Sequence, residues 1–223
     1  AAAVPGGLVL VGSTRSAERA WAVGLAPDGS RRWEWTAETD GRSRLAAVVP
    51  AVDGGVVAVG RRGFQPDRGV AWLVSLSPGG QRRWAQSYSR EAWNWHDDLA
   101  RVGDGYVLAG SIGDVNAGER SAWLLRVGPD GEERWEHRDE PGTRASSVRA
   151  VADGGFLVGG SARSGDSERA WLARFGGDGG GSGLQLPSLP EIPGWTAPLG
   201  VGAVAGAAGS ALARRLRADD GDA

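Results

Sequence analysis

Residues Trp93, Asn94, Trp95, His96, Asp97 and Asp98 put one imidazole beside two carboxylates and two indoles. An imidazole next to a carboxylate can move a proton near neutral pH or ligate a metal weakly. Neighbours on an extended chain point to opposite faces, which works against a direct His96–Asp97 pair. The segment reads as an inter-strand loop, and non-repeated aromatic and polar residues in a loop are typical carriers of binding. Residues 93–98 are therefore the candidate ligand or partner surface, with a plain solvated loop as the alternative.

Little else in the chain offers chemistry. The only other histidine is His137, so a three-histidine zinc site cannot form within the chain. There is no cysteine, which excludes disulfides, thiolate metal sites and a cysteine nucleophile. Glu34, Glu38, Glu91, Glu136 and Glu140 are available as carboxylates, but no spacing singles out a glycosidase-type pair. Asp28, Asp53, Asp104, Asp130, Asp153 and Asp178 all precede glycine. None stands in the alternating acidic ladder of a calcium loop, and turn chemistry accounts for them. All 25 basic residues are arginine, so the glycine-rich stretch 176–183 has no lysine to complete a phosphate loop. An arginine-only basic set is the composition of a GC-rich genome. The net charge of −2 gives no electrostatic case for nucleic-acid binding. No catalytic residue, metal site or cofactor is assigned.

The elements that would position residues 93–98 come from an internal repeat. Short apolar runs close on Gly12, Gly60, Gly110 and Gly160, at spacings of 48, 50 and 50 residues. Three of the runs open on Asp-Gly, at Asp53, Asp104 and Asp153. An Ala-Trp pair follows each run, with Trp21, Trp72, Trp123 and Trp171 spaced by 51, 51 and 48. Then come Pro27-Asp28-Gly29, Pro78-Gly79-Gly80, Pro129-Asp130-Gly131 and the degenerate Gly177-Asp178-Gly179. Trp33, Trp84 and Trp135 lie 12 residues after their Ala-Trp tryptophans.

Each unit reads as a four-stranded antiparallel meander. Apolar runs bounded by Asp-Gly are buried strands, and Pro-Asp-Gly is a tight turn. No sustained 3.6-residue period marks a helix in the repeat region. Four such units, at about 1–42, 43–93, 94–143 and 144–179, predict an all-β fold of β-propeller-type repeats, about four four-stranded blades. The recurring tryptophans are expected to pack between blades. The first unit lacks room for its first strand and the last lacks its tryptophan-bearing strand. About 14 strands are therefore expected, and the chain is expected to be the C-terminal part of a longer propeller.

The Ala-Trp-Leu, Asp-Gly and Trp order resembles the blade motif of PQQ-like propellers. It resembles still more the Asp-Gly-Gly, Ala-Trp-Leu, Asp-Gly, Trp repeats of exported bacterial and archaeal surface proteins. The resemblance covers about residues 6–179 and implies a fold rather than an activity. The adjacent-cysteine pair of PQQ-dependent dehydrogenases is absent.

Beyond the repeats the composition changes. Residues 180–195 read as a Gly/Pro-rich linker, 196–217 as a transmembrane or sorting segment, and 218–223 as an acidic tail. Residues 196–213 carry no charge and are just long enough for an apolar helix to span a thin bilayer core. Arg214, Arg215 and Arg217 follow, which by the positive-inside rule puts the repeats outside. Pro193, Gly194 and Trp195, the apolar segment and the arginines together resemble the archaeal Pro-Gly-Phe C-terminal sorting signal, with Trp195 in place of Phe. That resemblance implies processing and a lipid anchor.

The resulting expectation is a non-catalytic interaction or scaffold module on the extracellular face, anchored to membrane or lipid. Its partners would be the membrane, through the C-terminal segment, and a protein or glycan at the surface. An exported quinoprotein-like or carbohydrate-active enzyme with its catalytic part upstream, and a ligand-binding sensor ectodomain, are the alternatives.

Overall fold

A computed structural model describes residues 1–177 except 16–17, 39–40, 66–67, 91–92, 115–118 and 165–166. These residues form 15 strands in four antiparallel sheets, each a simple up-and-down meander in chain order. The first sheet holds β1 (Ala2–Val4), β2 (Gly7–Ser13), β3 (Ala20–Leu25) and β4 (Arg31–Thr36). The second holds β5 (Ser43–Pro50), β6 (Val56–Gln65), β7 (Arg68–Leu76) and β8 (Arg82–Tyr88). The third holds β9 (Trp93–Val102), β10 (Gly105–Asp114), β11 (Glu119–Val127) and β12 (Glu133–Pro141). The fourth holds β13 (Thr143–Ala150), β14 (Phe156–Ser164) and β15 (Ser167–Phe175). Consecutive four-stranded meanders stacked face to face are β-propeller-type blades.

The strand count corrects one expectation. The first unit does have a first strand, the three-residue β1, which pairs Ala2 with Val9 and Val4 with Gly7. It escaped notice because Ala2–Val4 is too short to show a period. The apolar helix expected at 196–217, and the motif Pro193, Gly194, Trp195, Arg214, Arg215 and Arg217, lie outside the described residues. Among the described residues no helix is long and apolar enough to cross a membrane.

The continuous apolar runs follow from stacking. A strand inside a stack is covered on both faces, so alternation gives way to a run. Val56 and Ala58 point into the core shared with the first sheet. Their neighbours Val57 and Val59 point into the core shared with the third sheet. All four are essentially without solvent exposure, and burying each valine contributes roughly 1.5–3 kcal/mol. A third core, built around Val107, Leu124, Val148 and Phe156, joins the third and fourth sheets.

The repeat markers resolve into devices that join sheets. The second tryptophan of each unit reaches forward to the next. A Cβ at Gly80 would lie 2.5 Å from the Trp33 ring, and one at Gly131 would lie 2.9 Å from the Trp84 ring. Trp135 stacks on Phe156 with centroids 6.1 Å apart. Tyr88 adds a hydrogen bond from its hydroxyl to the Gly131 carbonyl at 2.7 Å.

A second device is invisible as a sequence motif. The backbone N–H of three of the four Ala-Trp alanines donates to a side chain at the start of the next sheet. Ala20 donates to Ser43 Oγ at 2.8 Å, Ala71 to Asn94 Oδ1 at 2.9 Å and Ala122 to Thr143 Oγ1 at 2.9 Å. Serine, asparagine and threonine share only an acceptor oxygen, which is the property the buried N–H requires.

The Asp-Gly turns are locked within each sheet. Asp53 and Asp153 accept the N–H of Gly55 and Gly155 at 3.0 and 3.1 Å, the Asx geometry that favours Asp in turns. Arg83 pairs with Asp53, and Arg134 grips both oxygens of Asp104 at 2.7 and 2.8 Å. These hydrogen bonds from arginine hold both carboxyls below their ordinary range. In the first sheet, where Pro5 stands in the place of this aspartate, Arg32 donates to the Gly6 carbonyl at 3.2 Å.

One sheet lacks a contact that two others have. Trp21 Nε1 donates to Glu34 at 2.7 Å, and Trp123 Nε1 donates to Glu136 at 3.3 Å. The equivalent position in the second sheet is Ala85, and Trp72 Nε1 is buried without a partner. Ala85→Glu supplies the missing acceptor on the same face. The expected gain is about 1 kcal/mol in urea unfolding; no gain would mean that Trp72 and Ala85 are not poised as their counterparts are.

Candidate functional site

Residues 93–98 are not a loop. They open β9, the first strand of the third sheet, and the sheet sorts them into three roles. The expectation of a loop failed because it was drawn from residue type, whereas pairing with β10 starts at Trp93 itself, opposite Gly113.

The sorting depends on a β-bulge. His96 pairs with Gly110 and Asp98 with Ala109, leaving Asp97 as the extra residue. The second and fourth sheets have the same bulge, with Ala46 and Ser146 as the extra residues opposite Gly60 and Gly160. An extra residue re-phases the side-chain alternation. His96 and Asp98, two residues apart, consequently face opposite sides of the sheet.

His96 faces the core shared with the second sheet. It is 1% exposed and stacks on Trp123 with ring centroids 4.4 Å apart. Both residues pair with Gly110, one from each neighbouring strand. The equivalent residues are Leu45 and Ala145, so His96 occupies an apolar position. Neither ring nitrogen has a hydrogen-bond partner. Burial, aided by the nearby positive charge of Arg90, pushes its pKa down to about 3, so the ring is neutral at physiological pH. The acid–base pair with Asp97 is therefore not formed: His96 makes no hydrogen bond, and Asp97 bonds elsewhere.

Asn94 is the buried acceptor that joins the second and third sheets through Ala71. Asp98 joins the third to the fourth, accepting the Val148 N–H at 3.0 Å and pairing with Arg149.

Trp93, Trp95 and Asp97 remain, and these three line a cavity of about 540 Å³ where β5, β9 and β13 come together. The volume falls in the range of small-molecule sites. Arg44, Arg61, Arg120 and Arg144 line the same cavity, with Ala46, Gly60 and an edge of His96. Asp97 accepts from Arg144 at 3.0 Å and from Trp95 Nε1 at 3.2 Å. Arg120 lies over the Trp95 ring, 5.5 Å from its centroid, and Trp93 meets Trp95 edge to face at 6.3 Å. The Trp93 Nε1–H is buried without an acceptor.

Among the lining residues, four guanidiniums thus face one carboxylate, and the histidine is uncharged. Arg44 and Arg144 are repeat equivalents on β5 and β13. Arg61 and Arg120 are departures from the repeat. Where Arg61 stands, the other units have Ser13, Ser111 and Ser161; where Arg120 stands, they have Glu18, Gly69 and Glu168. Reasoning from residues 93–98 alone missed both arginines. Aligning the four units column by column would have exposed them, because the departures in both columns converge on one cavity. Among the described residues no group of three or more His, Asp or Glu is placed to hold a metal ion.

No family model matches the chain, and no curated protein matches it. Solved structures do. One is a protein of unknown function from Bacteroides caccae, at 13% identity and a TM-score of 0.44, with 78% of this chain and 59% of that chain covered. Another is a putative gluconolactonase at 12% identity and a TM-score of 0.32, with 79% of this chain and 77% of that chain covered. The chain thus spans 59% of the length of the Bacteroides protein. The assignment of propeller-type blades rests on the sheet topology itself.

Proposed function

We propose that the chain is a non-catalytic, ligand-binding propeller module held at the outer face of a membrane. The observation that carries the binding half is the chemistry of the cavity. Its lining offers guanidinium and indole donors in a concave setting, but no group placed for proton transfer. Asp97 Oδ2 accepts from both Arg144 and Trp95, and the His96 ring is buried against Trp123. A general base needs an accessible lone pair and a pKa near the working pH, and the buried His96 ring offers neither.

The anchoring half is supported by the sequence of the tail. Residues 196–213 are uncharged and are followed by Arg214, Arg215 and Arg217. Pro193, Gly194 and Trp195 precede them, in the order of the archaeal sorting signal they resemble. This arrangement favours a membrane or lipid anchor with the arginines inside and the repeats outside.

Expression of the full chain beside a truncation ending at Gly183 tests the anchor. The full chain is expected in the membrane fraction, with its repeats cleaved by protease added to intact cells. The truncation is expected in the soluble fraction. Both forms soluble would overturn the anchored reading.

A further inference from the structure

We infer that the cavity between β5, β9 and β13 binds an anionic sugar, a pyranose ring carrying a carboxylate or a phosphate. This deepens the binding reading above and rests on it. Charge is the first argument. The chain as a whole carries −2, yet the cavity gathers four guanidiniums around one carboxylate. Several arginines elsewhere are matched to carboxylates, among them Arg83 to Asp53, Arg134 to Asp104 and Arg149 to Asp98. In the cavity Arg44 and Arg120 have no carboxylate partner among the described residues. Arg44 and Arg120 add positive charge there without a carboxylate of their own, and an oxyanion would offset it through paired N–H donors.

Pre-organisation is the second argument. Arg144 is held by Asp97, itself held by the Trp95 indole N–H. Arg120 sits over the Trp95 ring, 5.5 Å from its centroid. Two of the four cations are thus fixed before any ligand arrives, which reduces the entropy lost on binding. Arg44 is exposed at the cavity.

The ring follows from the indoles. Trp93 stands at the cavity in the place of Arg42 and Gly142 of the neighbouring sheets. Its Nε1–H is buried with no acceptor, a polar group left unsatisfied beside the cavity. Indoles beside cationic forks suit a ring with an apolar C–H face and an acidic substituent. The cavity of about 540 Å³ takes one or two such rings.

Calorimetric titration of the full chain tests this with four probes: digalacturonate, glucose 6-phosphate, inorganic phosphate and a neutral disaccharide. Digalacturonate or glucose 6-phosphate is expected to bind, and which one binds separates carboxylate from phosphate recognition. Affinity is expected to fall as salt is raised from low to high. Arg44→Ala and Arg120→Ala should each weaken binding about tenfold or more, and Arg31→Ala, on a distant exposed strand, should not. Arg44→Glu, at an exposed position, keeps the fold and should abolish binding. Equal affinity for the neutral disaccharide would overturn the role of charge. Inorganic phosphate bound as tightly as glucose 6-phosphate would overturn the sugar ring. If no probe binds while the full chain still fractionates with membranes, the site falls and the surface module stands. If a bound probe is consumed during the titration, as seen by NMR of the recovered ligand, the non-catalytic reading falls and the site stands.

Discussion

His96→Leu will raise the stability of the chain, and the gain will grow as the pH falls below about 6.5. At neutral pH the buried imidazole leaves one donor and one acceptor unpaired. Leucine already fills the equivalent place at Leu45 beside Gly60 and Trp72. Removing two unpaired polar atoms from a sealed site contributes about 2 kcal/mol, less the ring stacking on Trp123 that is lost. The pH term adds to this. The folded pKa of about 3 lies below the unfolded value of 6.5, so between them the unfolded chain binds a proton that the native chain refuses. Native stability is therefore intact above pH 6.5 and is lost as the pH drops through that window, on the order of 1 kcal/mol per pH unit. Carboxylates titrate in both proteins and cancel in the difference. Urea midpoints at pH 7.5, 6, 5 and 4 measure it. Parallel curves for the two proteins would mean that His96 reaches solvent or a partner.

Gly110→Ala will destabilise the chain by about 3 kcal/mol or more, whereas Gly12→Ala will leave it within roughly 0.5 kcal/mol of the parent. Both glycines close the same apolar run in the repeat. At Gly110 an added Cβ would lie 1.9 Å from the Trp95 carbonyl oxygen and 2.6 Å from His96 Cα. Those atoms are backbone, held by the bulge, and no side-chain rotation relieves the overlap. Gly60 and Gly160 meet the carbonyl oxygens of Arg44 and Arg144 at 1.9 and 1.8 Å. Gly12 meets nothing within 4 Å, because β1 ends its pairing at Val9 and no bulge crosses over Gly12. Thermal unfolding of the four alanine variants should give three large drops and one small change. A large drop at Gly12 would show that the closing glycine serves the turn or strand rather than the bulge.

That contrast shows how far the repeat could be read. Its register identified the strands, the turns and the tryptophans that join sheets, since each depends on spacing along the chain. The closing glycine was visible as a marker, but its cause was not, because the clash comes from a strand about 15 residues earlier. The acceptor series Ser43, Asn94 and Thr143 was hidden for a different reason: the fold requires only an oxygen there, and three residue types supply it. Arg61 and Arg120 were legible as departures from their columns, but no spacing indicates that they meet Trp95 and Asp97.

The segment 93–98 marks the boundary most sharply. The amino-acid sequence by itself determined that these residues break the repeat, and that a blade-forming chain must place them where two meanders join. It determined the type of fold because period, turn chemistry and apolar runs are local properties. Only the tertiary structure decided which of the six side chains reach the cavity. The bulge at Asp97 re-phases β9, sending His96 into one core and Asp98 toward the next sheet, while Trp95 and Asp97 stay with the arginines. A single extra residue in one strand reverses every side-chain direction beyond it. That reversal is set by pairing with β10, so it belongs to the sheet and not to the six residues alone.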